Sequence, residues 1–271
     1  MPAAHDVADT LEVGLVQAEL AWQDPETNRR RLAAMMDAQP GCHLYVIPET
    51  FTTGFLGDAG LDAETMDGPS IAWLREQARS RGAAIAGSLV IGNGEGRRFN
   101  RMVFMPPDAE PVCYDKRHRF SFGGEDERYT AGEGPVVAEW RGWRFDLQVC
   151  YDLRFPVWCR NSRDFDVQIF VANWPAPRAD HWRSLLKARA IENQAYVIGV
   201  NCCGRDGNGV NYAGDTVLRG PDGRRIVELG AAEESARVSM RLSQLRDFRE
   251  ALPFLADGDD FRLVSGVFRK R

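Results

Sequence analysis

Three residues have side chains that could act together on a substrate. Two of them stand at the ends of apolar runs that predict strands. Cys150 ends the apolar run 143–149 and precedes Tyr-Asp-Leu-Arg-Phe-Pro, while Glu49 follows the apolar run 44–47 and a proline. Lys116 lies in the short charged segment Tyr-Asp-Lys-Arg-His. Open α/β sheets hold their reactive groups at the carboxyl ends of strands, so Glu49, Lys116 and Cys150 form a candidate catalytic set.

The three side-chain types have complementary chemistry. A thiol with an ordinary pKa of about 8.5 is mostly protonated at neutral pH, so a nucleophilic cysteine needs a base or a nearby cation. Glu49 could accept the thiol proton and return it to a leaving amine, and Lys116 could stabilise thiolate and oxyanion charge. This set suits acyl transfer from an amide or nitrile to sulfur, followed by attack of water. The chemistry requires neither a metal nor a cofactor.

Four sequence blocks carry a family resemblance. They read Val-Ile-Pro-Glu-Thr at 46–50, Tyr-Asp-Lys-Arg-His at 114–118, Val-Cys-Tyr-Asp-Leu-Arg-Phe-Pro at 149–156 and Val-Ala-Asn-Trp-Pro at 171–175. In this order they resemble the Glu, Lys and Cys blocks of the nitrilase superfamily of carbon-nitrogen hydrolases, and the resemblance runs from Gly14 to Gly223. Four ordered blocks are a far more specific signal than any one of them.

Two segments resemble bacterial ω-amidases in particular, Arg-Phe-Pro-Val-Trp at 154–158 and Asn-Trp-Pro-Ala-Pro-Arg at 173–178. Those enzymes hydrolyse the distal amide of 2-oxo dicarboxylic monoamides, so the resemblance implies 2-oxoglutaramate or 2-oxosuccinamate as substrate, with water as the second reactant. Many relatives carry Glu where Val157 stands. An ion pair that they could form with Arg154 is therefore not expected here.

Four residues are candidates for binding the substrate, namely Tyr151, Arg154, Trp174 and Arg178. The backbone N–H of Tyr151, directly after the nucleophile, could help Lys116 bind the tetrahedral oxyanion. The substrate carboxylate would be held by an arginine near Trp174. Arg178 is the first choice because a planar guanidinium can grip a carboxylate with two hydrogen bonds, and Arg154 is the alternative.

Relatives generally have a second carboxylate between the Lys and Cys blocks. In the acidic segment 124–132, the distance to the closing glycine favours Glu125, with Glu127 as the competitor. The resemblance implies that this carboxylate orients Lys116 and the incoming water. A salt bridge on a solvated loop is the alternative interpretation.

Apolar runs that favour strands alternate with helix-period segments. We predict strands over 11–20, 44–47, 83–91, 101–105, 167–172 and 196–201, and helices over 25–38, 70–81 and 178–194. Asp24 is the predicted N-cap of the first helix, and Trp182, Leu185, Leu186 and Ile191 are predicted to share one face of the last. The Gly-rich stretch 204–214 matches no nucleotide-binding motif and predicts turns that lead into a late strand.

The alternation indicates a layered α/β fold but does not distinguish a doubly wound three-layer sheet from two sheets packed face to face. The family resemblance implies the second, a four-layer α-β-β-α sandwich that usually dimerises through helices. The segment 1–271 is predicted to be a single carbon-nitrogen hydrolase domain with a flexible tail over 1–10. A homodimer or higher homo-oligomer is therefore expected.

Composition limits the classes of partner. The 271 residues carry a net charge of −5 and no basic patch, so we expect no nucleic-acid or membrane partner. No run of eighteen apolar residues occurs and the first residues lack a secretory signal, which predicts a cytoplasmic location. Five of the six cysteines are predicted to be buried, reduced thiols, with Cys150 as the exception.

Three alternatives remain open from the sequence. Hydrolysis of a carbamoyl amide or a nitrile uses the same three residues within the superfamily. A Cys-His hydrolase would need His5, His43, His118 or His181 as the base, and His118 is the best placed. A non-catalytic binding module on the same fold is disfavoured because Glu49, Lys116 and Cys150 are all present.

Overall fold

Two six-stranded sheets form the centre of the structure, a computed structural model that describes residues 8–56, 63–261 and 263. The first half of the chain contains β1 (Thr10–Gln17), β2 (Leu44–Val46), β3 (Ala84–Gly92), β4 (Arg98–Met105) and β5 (Val112–Asp115). The second half contains β6 (Val137–Trp140), β7 (Trp143–Val149), β8 (Val167–Ala172), β9 (Tyr196–Asn201), β10 (Cys203–Arg205), β11 (Asn211–Ala213), β12 (Val217–Arg219), β13 (Arg225–Glu228) and β14 (Glu234–Arg241).

Strand order follows the two halves of the chain. The first sheet has the order β14-β1-β2-β3-β4-β5, and the second has the order β13-β12-β9-β8-β7-β6. In each sheet three central neighbours are parallel, β1-β2-β3 in the first and β7-β8-β9 in the second. Strands β10 and β11 lie outside these two sheets and form a separate antiparallel hairpin.

Six helices lie within the described residues. They are α1 (Pro25–Asp37), α2 (Pro69–Arg81), α3 (Glu125–Arg128), α4 (Pro156–Cys159), α5 (Ala179–Asn193) and α6 (Leu242–Ala251). Short 3-10 helices span Ser121–Gly123, Cys150–Arg154, Ala176–Arg178 and Phe254–Asp257.

The core shows how these layers stack. Buried apolar residues from both sheets form one cluster, in which the rings of Phe104 and Phe145 lie 5.3 Å apart. A second cluster packs the other face of the first sheet against α1 and α2 through residues such as Leu32 and Leu74. Burial of these apolar faces is the main stabilising contribution to such a fold. The predicted four-layer α-β-β-α sandwich is confirmed.

Local signals placed the first helix correctly. The Asp24 side chain accepts a hydrogen bond from the Thr27 N–H at 3.0 Å, as an N-cap does, and Pro25 occupies the first turn. The predicted strand over 11–20 ends earlier, at Gln17, because the next backbone groups bond elsewhere: the Ala18 carbonyl accepts the Cys203 N–H at 3.1 Å, and the Glu19 N–H donates to the Glu233 carboxylate at 2.9 Å.

The predicted apolar face of α5 is wrong at one position. Trp182, Leu186 and Ala190 follow one another every four residues and are fully buried against the second sheet. Ile191 lies one residue beyond Ala190, so its side chain is turned by about 100° from that of Ala190 and further from those of the other two. Its side chain is 48% exposed.

Several predictions concern the ends and the cysteines. Residues 1–7 of the expected tail, which include His5, lie outside the described residues, and β1 begins at Thr10. No helix among the residues described is both long and apolar enough to cross a membrane. All six cysteines are free thiols, and five are buried. Cys113 is only half-buried, which corrects the prediction for that residue.

Candidate active site

Two strand ends that face one another carry the carboxylate and the thiol. Chain turns at the ends of β2 and β7 place Thr50 and Cys150 in the left-handed region, with φ of 41° and 45°. This conformation costs a non-glycine residue roughly 1–2 kcal/mol, so the surrounding structure must hold it. At the second turn the Asp152 carboxylate accepts a hydrogen bond from the Val149 N–H at 3.1 Å.

Glu49 is fully buried and its carboxylate accepts three hydrogen bonds. Oε1 lies 2.9 Å from the Lys116 Nζ and 2.8 Å from the Asn100 Nδ2, and Oε2 accepts the backbone N–H of Asn173 at 2.7 Å. Asn173 also donates its side-chain amide to the backbone carbonyl of Glu49 at 3.1 Å. These donors compensate for the burial of a carboxylate and fix its orientation.

The second carboxylate that reaches Lys116 belongs to Glu125. Its two oxygens lie 2.9 and 2.8 Å from the Lys116 Nζ, and one of them accepts the Phe120 N–H at 2.6 Å. Burial raises the pKa of Glu125, Lys116 acts in the opposite direction, and Glu49 raises it further. Glu127, the competing candidate, is exposed. The structure therefore brings Glu125, and not Glu127, to the lysine.

Lys116 is a buried cation between two carboxylates. Burial on its own would lower the lysine pKa, but Glu125 and Glu49 outweigh it and hold the pKa well above its ordinary value. An ammonium group has three N–H donors. Two of them point to the carboxylates, which leaves the third for charge that develops on a substrate.

Cys150 is a neutral thiol in this environment. Burial raises its pKa well above the ordinary value, Glu49 raises it further, and the opposing effect of Lys116 is smaller. A lysine alone therefore does not make a resting thiolate here. The arrangement suits a thiol that loses its proton to Glu49 as it attacks.

A cavity of about 570 Å³ opens onto Cys150. Its polar wall contains the guanidinium groups of Arg154 and Arg178, and Trp174 lies among its aromatic residues. The Arg154 Cζ lies 4.5 Å from the centre of the Trp174 ring, and the Arg178 Cζ lies 5.5 Å from that of Phe120. Among the described residues neither guanidinium pairs with a carboxylate, so the cavity carries uncompensated positive charge.

The hairpin of β10 and β11 forms another wall of this cavity. Asn211 and Tyr212 line it, and Tyr212 forms an isolated backbone bridge to Pro175. The Tyr212 hydroxyl donates to the Asp206 carboxylate at 2.8 Å. The Gly-rich segment therefore contains a strand pair as well as the predicted turns.

The three histidines that the structure describes are all engaged away from the thiol. The His118 Nδ1 lies 2.7 Å from Asp152 Oδ1, and its ring stacks on Phe155 at 3.6 Å. His43 accepts the Glu12 N–H at 3.1 Å. His181 contacts the guanidinium of Arg154 at 3.3 Å. The geometry gives none of them the position of a base for Cys150.

Sequence reasoning missed two polar residues of this site. Asn173 lies in a recognised block but was assigned no contact, and Asn100 precedes the predicted strand, which begins at Arg101. In the structure β4 begins at Arg98, so Asn100 lies on a buried strand. An amide that alternates with the apolar Met102 and Phe104 on one face of the strand was the available signal. No group of three or more potential metal ligands occurs within the described part of the chain.

Comparison with known proteins places these observations in context. Residues 12–250 match the carbon-nitrogen hydrolase family. The chain is 43% identical over 255 residues to the ω-amidase YafV of Escherichia coli (strain K12), which covers 93% of this chain and 98% of that protein. It is 31% identical over 251 residues to the 2-oxoglutaramate amidase of Bacillus subtilis (strain 168), which covers 90% of this chain and 96% of that protein.

Solved structures give a similar result. XC1258 from Xanthomonas campestris, a CN-hydrolase superfamily protein, superimposes with a TM-score of 0.92 at 45% identity, covering 95% of this chain and all of that one. An amidase from Nesterenkonia sp. superimposes with a TM-score of 0.78 at 26% identity, covering 93% of this chain and 98% of that one.

Proposed function

The chain belongs to the carbon-nitrogen hydrolase family, and we propose that it is an ω-amidase that converts 2-oxoglutaramate or 2-oxosuccinamate to the oxo diacid and ammonia. It is an amide-hydrolysing enzyme. One observation supports the substrate above all: a single cavity joins the thiol of Cys150 to the guanidinium groups of Arg154 and Arg178, neither of which pairs with a carboxylate of the described residues. A short amide that ends in a carboxylate fits both ends of such a cavity.

In the first half of the reaction Cys150 is acylated. Glu49 takes the thiol proton as the sulfur forms a bond to the amide carbon, and the carbonyl oxygen becomes an oxyanion. The third N–H of Lys116 and the backbone N–H of Tyr151 stabilise that charge. The C–N bond then breaks, and Glu49 returns the proton to the nitrogen so that ammonia leaves.

In the second half water hydrolyses the thioester. Glu49 accepts a proton from the water as its oxygen attacks the acyl carbon, and the same donors hold the second oxyanion. The C–S bond breaks and the sulfur regains the proton. Glu125 orients Lys116 in both halves, since it accepts one hydrogen bond from the ammonium group and both of its oxygens lie within 2.9 Å of the Lys116 Nζ.

The oxo acid end lies among aromatic and cationic side chains. Trp174 packs under Arg154 and provides a flat wall for the short acyl chain. Arg178 binds the carboxylate with two charge-assisted hydrogen bonds, a geometry that suits a guanidinium group.

Three broader features complete the proposal. The chain of 271 residues is a single carbon-nitrogen hydrolase domain, which works in the cytoplasm as a homodimer. Six free thiols suit a reducing compartment. The side chains of Val157 and Ile191, 54% and 48% exposed on the outer helices α4 and α5, suit contacts between helices of two copies. Cell fractionation tests the cytoplasmic location, and sedimentation equilibrium tests the homodimer.

The substrate is tested by measuring ammonia release. Purified enzyme is assayed with 2-oxoglutaramate, 2-oxosuccinamate, a carbamoyl amino acid and a simple nitrile at matched concentrations. We expect kcat/KM for the two oxo acid amides to exceed that for the others by at least tenfold. A preference for the carbamoyl compound or the nitrile would contradict the ω-amidase assignment.

A further inference from the structure

Asn100 occupies a position between the two buried carboxylates of the site. Its side-chain Nδ2 lies 2.8 Å from Glu49 Oε1 and 3.4 Å from Glu125 Oε1. The residue is 1% exposed and lies on β4, and its backbone carbonyl accepts the Lys116 N–H at 2.9 Å. One residue therefore contacts Glu49, Glu125 and the backbone of Lys116.

The other end of the same amide is left without a partner. Asn100 Oδ1 is buried and accepts no hydrogen bond from the described residues. An unpaired buried acceptor is unfavourable, so its orientation needs a cause. Reversing the amide would bring Oδ1 against the carboxylate oxygens of Glu49 and Glu125. The carboxylates therefore fix the orientation of the amide.

The charges explain why a neutral donor is useful at this point. Glu49 and Glu125 share one lysine, and Cys150 lies beside them as a neutral thiol. A second cation in place of Asn100 would favour the thiolate and compete with Lys116. An amide N–H₂ group stabilises both carboxylates and leaves the net charge unchanged.

We propose that Asn100 is a positioning residue that holds the Glu49 carboxylate in place and directs it at the thiol. The proposal rests on the proposed role of Glu49 as the base. Asn100 acts through Glu49 and does not contact the reacting atoms. The other titratable groups that face Glu49 are Lys116, Glu125, Cys150, Cys202 and Tyr212.

The expected signature lies in the pH profile. A hydrogen bond to a charged group contributes enough to move a titration by about one pH unit. In Asn100→Leu, which has a similar volume and no donor, the ionised form of Glu49 is less stable. The acidic limb of the profile, where kcat/KM falls as the pH is lowered, therefore moves to higher pH by about one unit. At neutral pH, kcat and kcat/KM fall together by at least tenfold.

Two further variants keep the test decisive. Asn100→Ala also removes the donor, adds no bulk to the buried strand, and gives the same shift if the Leu variant does not fold. Asn193 is the matched control, because its buried amide donates to the Cys159 carbonyl at 2.8 Å, away from the site. Asn193→Leu is expected to lower the thermal midpoint and leave the acidic limb in place.

The experiment is the pH dependence of ammonia release by each folded variant, with an amide that the unaltered enzyme hydrolyses. A shift of the limb in the Asn100 variants alone supports the proposal. An unshifted limb in folded Asn100→Ala would overturn it, as would equal shifts in the Asn193 control. If the unaltered enzyme has no acidic limb, or Glu49→Gln retains full turnover, the role of Glu49 itself fails, which is a separate result.

Discussion

The His118 Nδ1 and the Asp152 Oδ1 lie 2.7 Å apart, and this pair joins the chain two residues after Lys116 to the chain two residues after Cys150. Asp152 also accepts the backbone N–H of His118 at 2.9 Å and the hydroxyl of Tyr114 at 2.8 Å. A buried carboxylate with several donors is a rigid connection. It holds the two segments that supply the cation and the nucleophile in a fixed relation.

The histidine in this pair has a structural role, which His118→Ala tests. Loss of a hydrogen bond to a charged, buried group should lower the free energy of unfolding by about 1.5–3 kcal/mol. Turnover by the folded variant should stay within about tenfold, because His118 takes no proton from Cys150. His181→Ala, whose side chain is exposed, is the control and should leave stability nearly unchanged. A folded His118→Ala variant without activity would revive the Cys-His mechanism.

The base and the cation are tested by Glu49→Gln and Lys116→Met. The first removes the acceptor for the thiol proton and should leave a folded, nearly inert protein. The second removes an oxyanion donor and should raise the barrier by at least about 3–4 kcal/mol, a loss of two to three orders of magnitude in kcat. Circular dichroism reports folding and ammonia release reports turnover. Near-normal turnover in Glu49→Gln would exclude the scheme.

The carboxylate-binding arginine is identified by comparing Arg178→Met with Arg154→Met. Loss of one charge-assisted hydrogen bond contributes about 1.5–3 kcal/mol, so Arg178→Met should lower kcat/KM for 2-oxoglutaramate by tenfold or more. A neutral amide that the enzyme hydrolyses should not share that loss. Equal losses for both substrates in Arg178→Met would assign this side chain to the fold. A selective loss in Arg154→Met alone would contradict the assignment to Arg178.

The raised pKa of Cys150 predicts how the free thiol reacts with a neutral reagent. Burial and Glu49 keep the thiol protonated, so its alkylation by iodoacetamide requires the rare thiolate. The rate at Cys150 should therefore rise about tenfold per pH unit through neutrality, without a plateau below the ordinary thiol pKa. Peptide mass spectrometry separates Cys150 from half-buried Cys113, the internal reference. A plateau near pH 7 would indicate a preformed thiolate instead.

Much of this architecture could be predicted because local chemistry and long-range packing agree. The ends of the second and seventh strands follow directly from apolar runs that stop at Pro48 and Cys150. The cap at Asp24 and the strands Val167–Ala172 and Tyr196–Asn201 were predicted for the same reason. The face-to-face arrangement of the sheets came from the family resemblance, since periodicity alone does not define which faces meet.

The remaining features depend on contacts between distant parts of the chain. Asn100 reaches Glu49 across 51 positions, and no local pattern shows that pairing. The neutral state of Cys150 is equally non-local, because it results from burial together with the charge of Glu49. The position of Arg178 over Phe120 depends on how two loops pack. The sequence identified Cys150 and Arg178 as candidates, but it predicted neither their geometry nor the contribution of Asn100.

Ammonia release from 2-oxoglutaramate by the unaltered enzyme and by Cys150→Ala is the most direct test of the account. The Ala side chain fits the same buried position and removes only the sulfur, so the variant should fold. We expect steady turnover with the thiol present and none above the uncatalysed rate without it. Turnover by a folded Cys150→Ala variant, or none by the unaltered enzyme on this substrate, would contradict the proposed Cys-dependent ω-amidase.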